Sequence, residues 1–215
     1  MNIGVLGTGM VGKGLASKLV LIGHDVKMGS RKAGNESAVG WAEDSGERAS
    51  EGTFAAAAAH GEIVLNATLG SHSIEALEAA GEENLNGKLL IDVANPIDRD
   101  TGTLTVANTD SLGEQIQARF PDAHVVKTLN TIFVGMMVNP AAIKGSHNLF
   151  LSGNDGNAKR ETRRLLEAMG WSGEDIVDLG DISTARGPEM YLIFFLKVAA
   201  ALDNFEFNVE VKQAG

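Results

Sequence analysis

The sequence predicts an α/β fold: a doubly wound, mostly parallel sheet with helices on both faces. Two observations predict it. Short apolar runs alternate with longer stretches of helical periodicity, the signature of βαβ units. The runs carry little internal charge, as strands buried on both faces do. Asn2 to Leu6 is the first strand, and 10–22 places Met10, Val11, Leu15, Leu19 and Ile22 at helical spacing. Gly23 ends that helix, and Asp25 to Met28 starts a second strand. Further strands are expected at 62–67, 88–93 and 124–128, with helices at 36–45, 53–60, 73–80 and 111–119 between them. The segment 33–52 is rich in Gly, Ser, Glu and Asn and reads as an exposed connection with at most one weak helix. Ala55 to Ala59 suits a tightly packed crossover helix.

The chain then continues with a strand-like 147–152, an amphipathic helix at 157–169, a strand at 176–179 and a buried helix at 190–202. Phe205, Phe207, Val209 and Val211 alternate as a last strand would. At 215 residues the whole reads as one domain, 1–215, with 147–215 an extension that lengthens the sheet and closes one end of its crevice.

Composition excludes several classes of function. Eighteen basic against 28 acidic residues give a net charge of −10, which repels a nucleic-acid backbone or an anionic membrane. No apolar run reaches the length of a membrane helix, and the N-terminus lacks a signal-peptide pattern. There are no cysteines, so disulfides, thiolate metal sites and cysteine nucleophiles are excluded, and a cytoplasmic location is expected. His24, His60, His124 and His147 show no ligand spacing, so no metal site is expected.

Gly7-Thr8-Gly9-Met10-Val11-Gly12 lies between the first strand and the first helix, the context that a dinucleotide-binding glycine motif requires. Gly7 would make the tight turn, Gly9 would let a pyrophosphate approach the backbone, and Gly12 would let helix and sheet pack closely. The pyrophosphate would meet free N–H groups at a helix N-terminus. Lys13 completes a G-x-x-x-x-G-K phosphate-loop pattern, but Gly14 stands where that loop needs a magnesium-binding hydroxyl. The fold expected is therefore of the Rossmann type. After the second strand, where an NAD site carries an acid, the chain has Ser30, Arg31 and Lys32. A hydroxyl and two cations suit a 2′-phosphate, so the cofactor expected is NADP(H). Asp25 lies at the far end of that strand.

With Gly7-Thr8-Gly9, Gly12 to Ala16, Gly23-His24 and Gly29-Ser30-Arg31, the chain resembles NADPH-dependent reductases of the deazaflavin coenzyme F-420. Val126-Lys127, Leu129 to Ile132, Asp178 to Gly180 and Ala185-Arg186 with Glu189 carry the resemblance almost to the end. The cytoplasmic domain of membrane metalloreductases and the cofactor half of pyrroline-5-carboxylate reductases are similar in these segments. The resemblance implies a homodimer in which NADPH hands a hydride to a flavin-like ring, F-420 or a flavin, with Thr8, Ser30 and Arg31 at the phosphate end. Where that family often has a proline-containing loop, this chain has Thr68 to His72, at the expected acceptor position.

Other candidates border the same crevice. Thr68, Leu69 and Gly70 should edge the nicotinamide ribose, with Gly70 and Ser71 leaving room for an acceptor; Ser71 could also cap the next helix. His72 is the one weak candidate for a proton donor, or else a solvated loop residue. The amides of Asn95 and Asn130 could bond a carboxamide or fix turns, and Arg186 and Glu189 could pair locally at a helix start where Pro188 suits the first turn. Met136 and Met137 could wall the acceptor slot or lie in the core. Three functions fit these residues: a reductase of a flavin-like small-molecule acceptor, a small carbonyl or imine reductase, and a non-catalytic NADP(H) sensor.

Overall fold

In the computed structural model, which describes residues 1–214, the chain forms an eight-stranded sheet with helices on both faces. The strands are β1 (Asn2–Leu6), β2 (Asp25–Ser30), β3 (Ala49–Thr53), β4 (Ile63–Asn66), β5 (Leu89–Asp92), β8 (His124–Thr128), β9 (Leu149–Gly153) and β10 (Ile176–Asp178). A small antiparallel hairpin, β6 (Ile97–Asp98) and β7 (Thr103–Leu104), stands outside it. The order is β10-β9-β8-β5-β4-β1-β2-β3, and every pairing is parallel except β8 with β9. The chain winds outward through β2 and β3, then returns to the other side of β1 with β4. That reversal is where such sheets open a crevice at the carboxyl ends of their strands.

Period-two alternation decides which helices cover which face. Ile3 and Val5 face one way with Ile63 and Leu65, onto α1 (Met10–Leu21), α2 (Glu36–Ser45), α6 (Val134–Val138) and α7 (Gly156–Met169). Leu6 and Val64 face the other way, onto α3 (Phe54–His60), α4 (Ser73–Ala80) and α5 (Leu112–Arg119). Side chains start the helices where the sequence supplies them: Asn35, Thr53, Ser111 and Asp155 each accept a first-turn N–H. The alanine-rich α3 lies directly on the sheet; a Cβ at Gly4 would fall 2.3 Å from the Ala57 carbonyl oxygen.

Three expectations need correction. The helix expected to be buried at 190–202 is largely at the surface: within 190–202 only Phe195 and Ala199 are buried, and Met190, Phe194 and Leu202 are exposed. The segment 33–52 contains α2 and runs into an edge strand, β3, whose Ala49–Thr53 pair with Val26–Ser30. Its polar composition hid the strand, because an edge strand has one open side and needs few apolar residues. The alternating residues 205–211 form no strand. Val209 accepts one backbone bond from Asn148, and Phe205 and Phe207 pack on Phe195 of α8 (Arg186–Leu202). Their apolar spacing serves aromatic packing, while β9 and β10 lengthen the sheet.

Candidate functional site

The carboxyl ends of β1, β2, β4, β5 and β8 open onto one crevice of about 1010 Å³. The glycine turn forms its floor. Gly7 has φ +118°, a conformation L side chains rarely adopt, and its Cβ would strike the Ala67 carbonyl at 2.5 Å. A Cβ at Gly12 would lie 2.1 Å from the Gly7 carbonyl oxygen, so Gly12 is a contact glycine and does not line the crevice. Gly9 is different: a Cβ there meets nothing within 4 Å and would project into open space. Gly9 caps α1 without a side-chain hydrogen bond, which leaves first-turn N–H groups for an anion. Thr8, Met10 and Val11 line the wall beside it.

At the end of β2, Ser30 is buried, and its hydroxyl donates to the Lys32 carbonyl at 2.6 Å. That bond shapes the turn, which leaves Arg31 and Lys32 exposed on the crevice. Neither forms an ion pair among the described residues, whereas Asp25 at the far end of the strand pairs with Arg48 at 3.2 Å. An open glycine cradle, an uncapped helix start and the adjacent unpaired cations Arg31 and Lys32 at one crevice fit a phosphorylated dinucleotide such as NADP(H).

The loop after β4 also lines the crevice through Thr68, Leu69, Gly70 and His72. Gly70 leaves no room for an acceptor. Its Cβ would lie 2.0 Å from the Asn95 carbonyl oxygen, so this glycine serves a contact between two loops. Ser71 is not the cap of α4; His72 holds that position, without a side-chain bond. His72 is exposed beside Glu75, with Nδ1 3.5 Å from the carboxylate. Asn95 and Asn130 both line the crevice, but they bond to each other: Asn95 Nδ2 donates to the Asn130 carbonyl at 2.7 Å, and Asn130 Nδ2 to Asn95 Oδ1 at 3.0 Å. Leu129, at φ +62°, turns the chain between β8 and that pair, a strained conformation for a large side chain. Met137 lines the crevice, and Met136 lies in the core. The remaining wall is mostly apolar, with Ile97, Phe133, Leu192 and Phe195, and carries one exposed cation, Arg99.

Below this end lies a buried ionic chain that sequence reasoning missed. Lys127 Nζ sits 2.8 Å from Asp92 Oδ2 and 2.8 Å from Glu189 Oε1, all three side chains at most 1% exposed. Glu189 also accepts the N–H groups of Leu112 and Gly113, at 2.8 and 3.0 Å. This corrects the expected Arg186–Glu189 pair: Arg186 binds Glu114, with Nε to Oε2 at 2.8 Å. Burial works against the Lys127 charge, but Asp92 and Glu189 outweigh it and raise its pKa above the usual lysine value. The ammonium therefore persists at neutral pH, and its contribution to stability is lost only as pH rises through that raised value. Removing one partner of such a pair costs roughly 3–5 kcal/mol. The signal in the sequence was a charged residue inside each of two doubly buried strands, Lys127 in β8 and Asp92 in β5.

Residues 2–96 match the family of NADP oxidoreductases, coenzyme F-420-dependent. A solved structure of a candidate F-420-dependent NADP reductase from Arthrobacter sp. FB24 is similar at 45% identity and a TM-score of 0.92, covering 98% of this chain and 99% of that one. Metalloreductase STEAP3 of Rattus norvegicus is 26% identical over 190 residues, 87% of this chain but only 36% of that protein's length. An imine reductase from Aspergillus terreus shares the fold, with a TM-score of 0.66 at 17% identity over 93% of this chain and 62% of that one. Among the described residues, no helix is long and apolar enough to cross a membrane, and no cluster of acids and histidines could hold a metal ion. The near-complete match at 45% identity, joined to a glycine cradle and a basic turn in the places that fold requires, makes this chain a member of the coenzyme F-420-dependent NADP oxidoreductase family.

Proposed function

We propose that the protein transfers a hydride between NADP(H) and a flat flavin-like ring, the deazaflavin coenzyme F-420 before a flavin. Gly7, Thr8, Gly9, Met10 and Val11 would hold the pyrophosphate, and Arg31 and Lys32 the 2′-phosphate, on a turn that the Ser30 hydroxyl shapes. Thr68, Leu69, Gly70, Asn95 and Asn130 would border the nicotinamide end. The bound nicotinamide supplies the hydride; the protein's part is to bind, orient and exclude. One observation carries the choice of acceptor. The far wall of the crevice is apolar apart from Arg99, and every ionisable side chain that lines the crevice, Arg99 included, is exposed to solvent. Such a site has no held proton donor. A flavin-like ring needs none, because it accepts a hydride and takes its proton from solvent.

A small imine or carbonyl reductase is the second reading, and it rests on His72 at the crevice rim. Its exposure and its Glu75 neighbour fit a solvated residue better than a general acid. We also propose a homodimer, because Met190 and Phe194 of α8 and Phe205 beyond it expose apolar surface beside the acceptor end; sedimentation at micromolar concentration tests it. The acceptor is tested by following NADPH oxidation with F-420, FMN, FAD, ferric chelates and small imines in parallel. Fastest turnover with the deazaflavin supports the proposal, and turnover with imines alone overturns it.

A further inference from the structure

The buried ionic chain is longer than its three charges: one end reaches the crevice at Thr68, and the other lies within a helix turn of the crevice wall. Glu189 stands in the first turn of α8, the helix whose Leu192 and Phe195 line the apolar wall. It meets Lys127, which meets Asp92 at the end of β5. Asp92 Oδ1 accepts from Asn66 Nδ2 at 2.8 Å. Asn66 Oδ1 in turn accepts the Thr68 hydroxyl at 2.7 Å and the Thr68 N–H at 3.3 Å. Ser73 Oγ closes the cluster, 3.0 Å from both Asn66 Nδ2 and Thr68 Oγ1. Lys127 also donates to the Ala94 carbonyl, one residue before the Asn95–Asn130 pair.

A stabilising core alone does not require this chemistry, since apolar residues of similar volume fill such space at no loss. What hydrogen-bonded charges add is fixed geometry, because each link has a preferred distance and direction. The second negative charge is offset at the start of α5, whose Leu112 and Gly113 N–H groups point at Glu189. The chain is therefore complete at each member.

We infer that Glu189 and Lys127 are positioning residues, which couple the start of α8 to the Thr68 loop and so set the width of the acceptor slot between them. The inference rests on the hydride-transfer reading only for its kinetic readout. Its primary test is amide hydrogen exchange on the full chain carrying Glu189→Gln, which keeps the side chain's shape and removes its charge. Exchange should quicken at least tenfold in the first turn of α8 and also in 66–70, while β2 and β3 stay as in the wild type. A change confined to 111–113 and 186–190 would show that Glu189 acts locally and would overturn the coupling.

Asp92→Asn breaks the chain at a different link and should give the same two-ended pattern; exchange that quickens only in 66–70 and not in α8 also overturns it. In steady state at saturating NADPH, Glu189→Gln should raise the KM for FMN or F-420 at least fivefold, with NADPH affinity within twofold of wild type. Normal kinetics per folded molecule, with only a lower Tm, would make the chain a fold support and nothing more. If no acceptor turns over with the wild type, the hydride-transfer reading falls, and the exchange pattern still decides the coupling.

Discussion

Replacing Gly9 with valine separates binding from folding, because of where its side chain would go. A Cβ at Gly9 has nothing within 4 Å, and its φ of −79° is open to any residue. The fold can therefore take the substitution. Valine is a poorer helix cap than glycine, at a cost of order 1 kcal/mol. For a chain of this size that lowers Tm by about 2–4 °C. Binding is another matter. The branched side chain would stand over the first-turn N–H groups of α1, where the pyrophosphate must approach. Hydrogen bonds to a charged group contribute about 1.5–3 kcal/mol each, so loss of two weakens NADPH by roughly 10²–10⁴-fold. Gly12→Ala is the contrasting variant. Its Cβ would lie 2.1 Å from the Gly7 carbonyl oxygen, so it should lower Tm far more than Gly9→Val. Fluorescence titration with NADPH, beside circular dichroism melts, reads both. Wild-type NADPH affinity in a folded Gly9→Val protein would refute the placement of the pyrophosphate.

Two other substitutions probe the acceptor end and the packing behind it. His72→Ala should leave flavin or deazaflavin reduction within about twofold; a fall of 10²–10⁴-fold would instead mark a general acid and favour the imine or carbonyl reading. Glu114 is held below the usual carboxylate range, first by its hydrogen bond from Arg186 and then by Ser111. Its contribution is present at neutral pH and lost as pH falls through the lowered value, so Glu114→Gln should lower Tm at pH 7 and lose its effect in strong acid. An equal deficit at both pH values would contradict that assignment.

The carboxyl edge of the sheet was legible because its chemistry is local. Strand, glycine turn, helix and basic turn are contiguous or nearly so, and each residue's task follows from its neighbours. Ser30 lies on the crevice as its position suggests, but its hydroxyl donates to the Lys32 carbonyl and shapes the turn. The acceptor end was less legible because its contacts join distant segments. Gly70 reads as space in the sequence, yet it is filled by the carbonyl of Asn95, 25 positions away. Asn95 and Asn130 read as two separate ligand amides, yet they bond across two strands. Glu189 is nearer in sequence to Arg186 than to Lys127, and nearness suggested the wrong partner. Burial decided that pairing: Lys127 has no solvent to compensate its charge, while Arg186 does.

The most direct test of the account is a paired titration of the wild type and Arg31→Asp with NADPH and NADH. Arg31 and Lys32 stand exposed and unpaired on the crevice, and only NADPH brings them a 2′-phosphate. One charge-assisted bond of roughly 1.5–3 kcal/mol predicts at least a tenfold preference for NADPH in the wild type. Arg31→Asp should abolish or reverse that preference without loss of the native circular dichroism spectrum. Equal affinities in the wild type, or an unchanged preference in the variant, would contradict the reading of the turn after β2 and with it the assignment of the crevice to NADP(H).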